Sequence, residues 1–150
     1  MSAADVGSVI LASVETKPSV KDFDAIIVGS CIHMGSWVKK GSKFIKENAT
    51  ALRDNPKPTW AFSAGKPPEN KFLAEERDIT GCVSKKIPVQ EHKLFWGCVS
   101  KQQMVGCFNF FFTCFGLKYE DQRDWEAMDE WADGISKLLR NEQQCLVTLV

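Results

Sequence analysis

The chain has 150 residues, 44% of them hydrophobic and 25% charged, a composition typical of one globular domain with a substantial core. Lysine plus arginine balance aspartate plus glutamate at 19 each, and no basic run interleaved with aromatic residues occurs. We therefore expect no nucleic acid partner, because binding to phosphates needs a basic surface.

The amino-terminal residues MSAADVGSVILAS lack the basic start and the long apolar stretch of a secretory signal, so we expect a cytoplasmic protein. The six cysteines include no C-x-x-C pair, and both histidines lie apart from any cysteine cluster. This spacing argues against a zinc or redox-dithiol site. Most of the thiols are expected to be reduced and buried rather than paired in disulfides.

Two strands are predicted before the first helix. Residues 8–14 form an apolar run, and a polar loop with a proline leads from it to residues 25–28. The second run is rich in β-branched residues, which suits a strand covered on both faces. Residues 29–35 are then expected to form a loop at the carboxyl edge of a parallel sheet, where ligand sites lie.

The next elements continue this alternation. An amphipathic helix with a lysine-rich outer face is predicted from Ser36 until Asn55 and Pro56 stop it. Residues 59–63 (TWAFS) form a short apolar strand that enters a turn-rich segment, SAGKPPEN. A second strand thus delivers a loop to the same edge of the sheet.

The second half of the chain contains a predicted short helix around residues 72–77, a strand at residues 93–98 and a final helix with Asp124 as its N-cap. The apolar face of that helix is assigned to Trp125, Met128, Ala132, Ile135 and Leu138. Strands that alternate with helices predict an α/β fold with a doubly wound parallel sheet, in one domain over residues 1–150.

The pentapeptide GCVSK occurs twice, at residues 81–85 and 97–101. The first copy is expected in a loop and the second after a strand, and no longer period follows. We therefore do not interpret the repeat as a repeat architecture or a duplicated site.

The segment from Met104 to Leu117 is uncharged and rich in phenylalanine. It is too short to span a bilayer, and its phenylalanines fall at helical spacing. A core helix is the favoured interpretation, because few cations flank the segment. The alternative is an exposed patch that makes peripheral contact with the inner membrane face.

Residues 30–37 offer a hydroxyl, backbone amides beside glycines, and flat or polarisable side chains at His33, Met34 and Trp37. Such a set suits a planar heterocycle whose polar edge bonds to the backbone while its face stacks. The alternative is that Met34 and Trp37 anchor the next helix and that His33 is a solvated loop residue. These residues alone do not decide between the two interpretations.

Four motifs occur in the order VGSCIHMGSW, WAFSAG, HKLFWGC and RDWEAMDEWADGI, within residues 7–139. In these motifs the chain resembles the flavodoxin-domain family related to menaquinone-dependent protoporphyrinogen IX dehydrogenase. The resemblance implies a three-layered flavodoxin-like fold that binds FMN through three loops. It also implies an oxidoreductase of heme biosynthesis, in which electrons and protons from a porphyrinogen or similar substrate pass through flavin to a quinone or a redox protein.

The resemblance assigns site residues to the second and third of these loops. They are Ser30, Cys31, Ile32, His33, Met34, Gly35 and Trp37 in the second loop, and Ser63, Ala64 and Gly65 in the third. Amides of the second loop would face the polar edge of the flavin, His33 or Trp37 would flank the ring, and the third loop would close the other side. No side-chain general acid is identified, and Cys31 is expected to pack or to contact flavin rather than to act as a nucleophile.

The family's first strand and its phosphate-binding loop have no counterpart in the sequence, which begins at what would be the second strand. The missing strand is central in a sheet of order 2-1-3-4-5, and a missing phosphate loop should weaken FMN binding. The chain is accordingly expected to be truncated, degenerate without flavin, or rearranged. In a rearranged member, the strand-like ending from Cys145 to Val150 would occupy the vacant central position.

Two other functions stay open. One is an electron carrier without a substrate of its own, which needs an exposed flavin edge and an acidic docking face. The other is a domain that binds no flavin and forms homo-oligomers through an exposed sheet edge.

Overall fold

The computed structural model describes residues 8–98, 121–140 and 146–149, the last four by their backbone alone. The strands in these ranges are β1 (Val9–Ala12), β2 (Ala25–His33), β3 (Ser36–Trp37), β4 (Thr59–Gly65), β5 (Glu91–Trp96) and β6 (Leu146–Leu149). The helices are α1 (Lys39–Asp54), α2 (Phe72–Ser84) and α3 (Trp125–Arg140). The two interpretations of the segment from Met104 to Leu117 concern residues outside the described ranges.

The strands form one sheet of order β1-β6-β2-β4-β5, and every neighbouring pair along this path is parallel. The carboxyl-terminal strand β6 lies between β1 and β2, where Val147 is in register with Ile10 on one side and Ile26 on the other. This placement of Leu146–Leu149 agrees with the rearranged alternative, in which the strand-like ending occupies the vacant central position.

Helices cover both faces of the sheet. Successive residues of β2 point to opposite faces, and each face packs against different helices. Ile26 belongs to a core that contains Ile45 of α1 and Ile79 of α2. Its neighbour Ile27 belongs to a second core with Ile135 of α3. The fold is therefore a three-layered, doubly wound α/β domain, as the sequence predicted.

Several element boundaries differ from the sequence-based prediction. Strand β4 continues through Ser63, Ala64 and Gly65, which the resemblance assigned to a loop, because these residues pair with β5. Helix α1 begins at Lys39 rather than Ser36, because Ser36 and Trp37 form β3.

Residues 29–33, expected in a loop, continue strand β2, because β4 remains in register with β2 as far as Cys31 and Ala64. Helix α2 is longer than the predicted short helix, because Ile79 and Val83 extend its buried face. The first GCVSK copy therefore begins within α2 and not in a loop. Strand β5 starts at Glu91 rather than at residue 93, because Glu91 is already in register with Trp60 of β4.

Helix α3 begins as predicted, since the Asp124 carboxylate accepts a hydrogen bond of 3.0 Å from the Ala127 amide. Its predicted apolar face is partly wrong. Trp125 and Leu138 are 61% and 63% exposed, whereas Ile135 and Leu139 are buried. The buried stripe follows a spacing of four residues, which turns Leu138 away from the sheet. No helix in the described ranges is long and apolar enough to cross a membrane.

Candidate functional site

A tight hairpin ends β2 at the carboxyl edge of the sheet. Ile32 is in register with Trp37 and His33 with Ser36, which leaves a two-residue turn at Met34 and Gly35. Both turn residues have positive φ, 51° and 72°, as a type I′ turn requires. Gly35 adopts this conformation readily, whereas Met34 does so at a cost of about 1 kcal/mol. The Met34 side chain is also 86% exposed.

A mainly apolar cavity of about 270 Å³ lies beside this hairpin. Strand β6 is in register with β2 only as far as Val28, and the pairing of β2 with β3 involves only Ile32 and His33. The intervening residues 29–31 line the cavity. The remaining lining residues come from the chain after β1, the start of α1, and β4: Ser13, Val14, Glu15, Val38, Lys40, Gly41, Phe62 and Ala64. The cavity therefore opens at the ends of β6, β2 and β4, the edge at which parallel sheets bind ligands.

Two glycines allow close packing at this edge of the sheet, one in the cavity wall and one at the end of β4. A Cβ on Gly41, in the first turn of α1, would lie 2.7 Å from the Ser30 hydroxyl, so glycine allows the helix to pack closely against β2. A Cβ on Gly65 would lie 3.2 Å from Cδ1 of Ile32. The two segments that the resemblance assigned as loops are therefore the adjacent ends of β2 and β4, which contact each other through Ile32 and Gly65.

Trp37 is buried beneath the hairpin rather than exposed at its tip. Its indole Nε1 donates a hydrogen bond of 2.6 Å to the Ser63 hydroxyl, and the two residues are 7% and 0% exposed. Ser63 is in turn 2.8 Å from Nε2 of His92, and His92 Nδ1 is 2.7 Å from the Thr80 hydroxyl. A buried polar chain thus runs from the hairpin through β4 and β5 to helix α2.

Burial lowers the pKa of His92, and the nearby Glu76 carboxylate opposes this effect. The Glu76 carboxylate itself accepts a hydrogen bond of 2.8 Å from the Leu94 amide of β5. His92 is therefore held in its neutral form within the core, because desolvation disfavours the imidazolium ion.

Charge is distributed unevenly although the chain is neutral overall. The helix beside the cavity, α1, exposes four lysines: Lys39, Lys40, Lys43 and Lys46. Helix α3, on the other face of the sheet, exposes four acidic residues: Glu126, Asp129, Glu130 and Asp133. Lys40 pairs with Glu15 at 2.6 Å at the rim of the cavity. The site therefore opens beside a basic helix.

The structure separates the site residues predicted from the sequence into accessible and buried groups. The exposed ones are Cys31, His33, Met34 and Gly35, and the partly buried ones are Ile32 and Ala64. The buried ones are Ser30, Trp37, Ser63 and Gly65. Ser30 turns its hydroxyl to the Cys31 carbonyl at 3.2 Å, so its side chain is engaged within the strand.

Sequence reasoning missed His92, Thr80 and the residues after β1 that line the cavity. A signal for His92 was present, because β5 alternates exposed Glu91 and Lys93 with buried His92 and Leu94. A histidine on the inward face of a strand needs hydrogen-bond partners in the core. Within the described ranges, no group of three His, Cys, Asp or Glu side chains is arranged to hold a metal ion.

The fold and the cavity define a doubly wound α/β domain with a ligand site at the carboxyl edge of its sheet. The sequence profile of the flavodoxin domain family matches residues 2–105, well over half of the chain, so the protein belongs to this family. The family has a flavin-binding redox function and typically binds FMN. No curated protein matches the sequence.

The described residues fit one part of FMN better than the other. A mainly apolar cavity beside a tight turn with exposed backbone suits the flat ring system. In the described ranges, however, the central position holds β6, and no Ser-, Thr- and Gly-rich loop leads from this strand into a helix. The site therefore contains a fitting place for the ring and lacks, among these residues, the phosphate loop that the resemblance implies.

Proposed function

We propose that the protein is an FMN-dependent oxidoreductase of the protoporphyrinogen dehydrogenase type. The observation that carries this proposal is the exposed Met34–Gly35 turn beside an apolar cavity, at the edge where β2 and β4 end, in a member of the flavodoxin domain family. When bound, FMN would take two electrons and protons from a reduced, porphyrinogen-like substrate and deliver them to a quinone.

In this proposal each group of hairpin residues has a distinct part. Backbone amides between Cys31 and Gly35 would hold the polar edge of the ring, while the exposed side chains of His33 and Met34 would shield its face. Ala64, which lines the cavity, would close the other side. Trp37 supports the hairpin from below, since its indole is buried and hydrogen-bonded to Ser63.

The charge around the site favours an enzyme over an electron carrier. A carrier would need an acidic face beside an exposed flavin edge, and the helix at the cavity carries lysines instead. The exposed acidic residues of α3 lie on the opposite face of the sheet. Lysines beside the cavity suit a substrate with carboxylate groups, because they raise the local concentration of anions.

Flavin binding is the first test of this function. The full chain is purified with FMN, and its visible spectrum and the quenching of FMN fluorescence are measured. We expect a perturbed flavin band, and weaker binding in the Met34→Ala variant. Leu138→Ala is the matched control, because this exposed apolar side chain lies on α3.

Turnover of protoporphyrinogen with a menaquinone analogue is the second test. Turnover by the flavin-loaded protein would support the proposal. Flavin binding without turnover would identify a carrier, and a colourless protein that leaves FMN fluorescence unchanged would identify a domain that binds no flavin.

A further inference from the structure

The polar chain beneath the hairpin has a direction that its hydrogen bonds determine. An indole Nε1 can only donate, so Ser63 accepts from Trp37 and is free to donate its own proton to His92 Nε2. At the other end, Thr80 donates its single hydroxyl proton to the Glu76 carbonyl at 2.7 Å. Thr80 must therefore accept from His92 Nδ1. The chain fixes His92 as the neutral tautomer with its proton on Nδ1.

Protonation of His92 is incompatible with this arrangement. A proton on Nε2 would turn that atom from an acceptor into a donor toward Ser63. The Ser63 hydroxyl would then receive two donors, Trp37 and His92, and its own proton would lose its acceptor. Ser63 is 0% exposed, so solvent does not replace the lost partner. Such an unsatisfied buried group is costly. The Ser63 hydroxyl regains an acceptor only if its side chain rotates away from His92 Nε2, and this rotation also takes its oxygen away from the Trp37 indole.

The groups around His92 make this response specific. From α2, the Glu76 carboxylate favours the protonated form, and Thr80 is the neutral acceptor at Nδ1. The inward-facing neighbours on β4 and β5, Ser63 and Leu94, carry no charge. The polar chain consists of Trp37, Ser63, His92 and Thr80. The charge state of His92 therefore decides the direction of the hydrogen bonds in it.

We infer that His92 is a positioning residue for the β2–β3 hairpin: neutral His92 holds Trp37 in place through Ser63, and protonated His92 releases it. Trp37 connects this core chain to the hairpin, because it is in register with Ile32 on the strand that carries the turn. The consequence for flavin affinity rests on the proposed function, whereas the coupling between His92 and Trp37 does not.

The coupling is tested by nitrogen-15 NMR of the full chain between pH 5 and 8. The Trp37 indole signal is identified with the Trp37→Phe variant, and the histidine ring nitrogens report the tautomer. We expect His92 with its proton on Nδ1 at neutral pH and a Trp37 signal that titrates with the same midpoint as His92. His92→Gln, which stays neutral, should abolish this titration, whereas His33→Gln, which replaces the exposed histidine of the hairpin, should preserve it.

Three results would overturn the inference: the other tautomer at neutral pH, a Trp37 signal that does not follow His92, or one that still titrates in His92→Gln. Thr80→Val provides a second variant if His92→Gln does not fold. Valine cannot accept the Nδ1 proton, so we expect the tautomer to change and the Trp37 signal to shift at neutral pH. An unchanged tautomer in Thr80→Val would count against the directed chain.

Flavin affinity separates the two proposals. In the unmodified protein we expect the Kd for FMN to rise about three- to tenfold below the midpoint of the His92 titration, which corresponds to the free energy of roughly one hydrogen bond. In His92→Gln the Kd should stay constant over the same pH range. A constant Kd in both proteins would overturn the positioning role in binding. Failure to bind FMN at every pH would contradict the proposed function, while the tautomer and the Trp37 titration would still decide the coupling.

Discussion

Gly29 of β2 lies directly beneath the ring of Phe62 in β4. A Cβ built on Gly29 would be 2.1 Å from Cζ of this ring, far closer than two carbon atoms can approach. The ring of Phe62 also packs edge-on against Trp131 of α3, with centroids 6.2 Å apart. The missing side chain at Gly29 therefore makes room for an aromatic contact between the sheet and α3, at the wall of the cavity.

Gly29→Ala should destabilise the domain by about 1 to 3 kcal/mol, because the added methyl forces the Phe62 ring out of its place. Urea unfolding measures this change. Gly134→Ala is the matched control: Gly134 lies in α3 with open space around it, so alanine should stabilise the helix by roughly 0.5 to 1 kcal/mol. Equal effects of the two substitutions would show that Phe62 does not restrict Gly29.

The turn at Met34 stores backbone strain at the proposed binding edge. Met34→Asn creates an Asn-Gly pair, the preferred sequence for a type I′ turn, and removes a side chain that makes little contact. We expect a gain of about 0.5 to 1 kcal/mol in the free energy of unfolding together with weaker FMN binding. Thermal unfolding and FMN fluorescence measure the two effects, and a variant that binds FMN more tightly would refute a contact between Met34 and the ring.

Stability should depend on the protonation of His92. Its pKa is lowered in the folded protein, so below the ordinary histidine value of 6.5 the unfolded chain binds more protons than the folded one. The contribution of neutral His92 to the free energy of unfolding is complete above pH 6.5 and is lost as the pH falls from 6.5 to the pKa of the folded state. This loss is at most about 1.4 kcal/mol per pH unit. Urea unfolding between pH 5 and 8 should show a smaller loss for His92→Gln than for the unmodified protein. Parallel losses would contradict this origin.

Apolar runs such as residues 25–28 carry a strong β signal, so the layers of the fold could be predicted from the sequence. The position of β6 is one of three alternatives, because only the β-branched ending and the vacant central position point to it. Sequence reasoning missed the end of β2, since a chain that contains Gly29 and Gly35 has the composition of a loop. Only the register of β2 with β4 shows that residues 29–33 remain extended. The burial of Trp37 could not be predicted either, because its partner Ser63 lies 26 residues away.

Strand β6 should be essential to the stability of the domain. It is in register with both β1 and β2, so its removal leaves β1 without a partner strand and exposes one edge of β2, which still pairs with β4. Deletion of residues 146–150 should lower Tm sharply, and Val147→Pro should cost about 3 kcal/mol or more, because proline removes a hydrogen bond from the middle of the sheet. Circular dichroism on heating measures both. An unchanged Tm after the deletion would disprove a central β6.

Riboflavin should bind nearly as tightly as FMN. The described part of the site offers a cavity and an exposed turn for the ring, whereas a phosphate loop opening a helix after the central strand is not found among these residues. A helix amino terminus that holds a phosphate is a large part of the affinity for a phosphorylated cofactor, so a site built from the described residues alone should show little preference for FMN. We expect the two Kd values to agree within about threefold, less than about 0.7 kcal/mol. Fluorescence quenching measures them side by side. A preference for FMN of a hundredfold or more would mean that the chain holds the phosphate through residues beyond the described ranges.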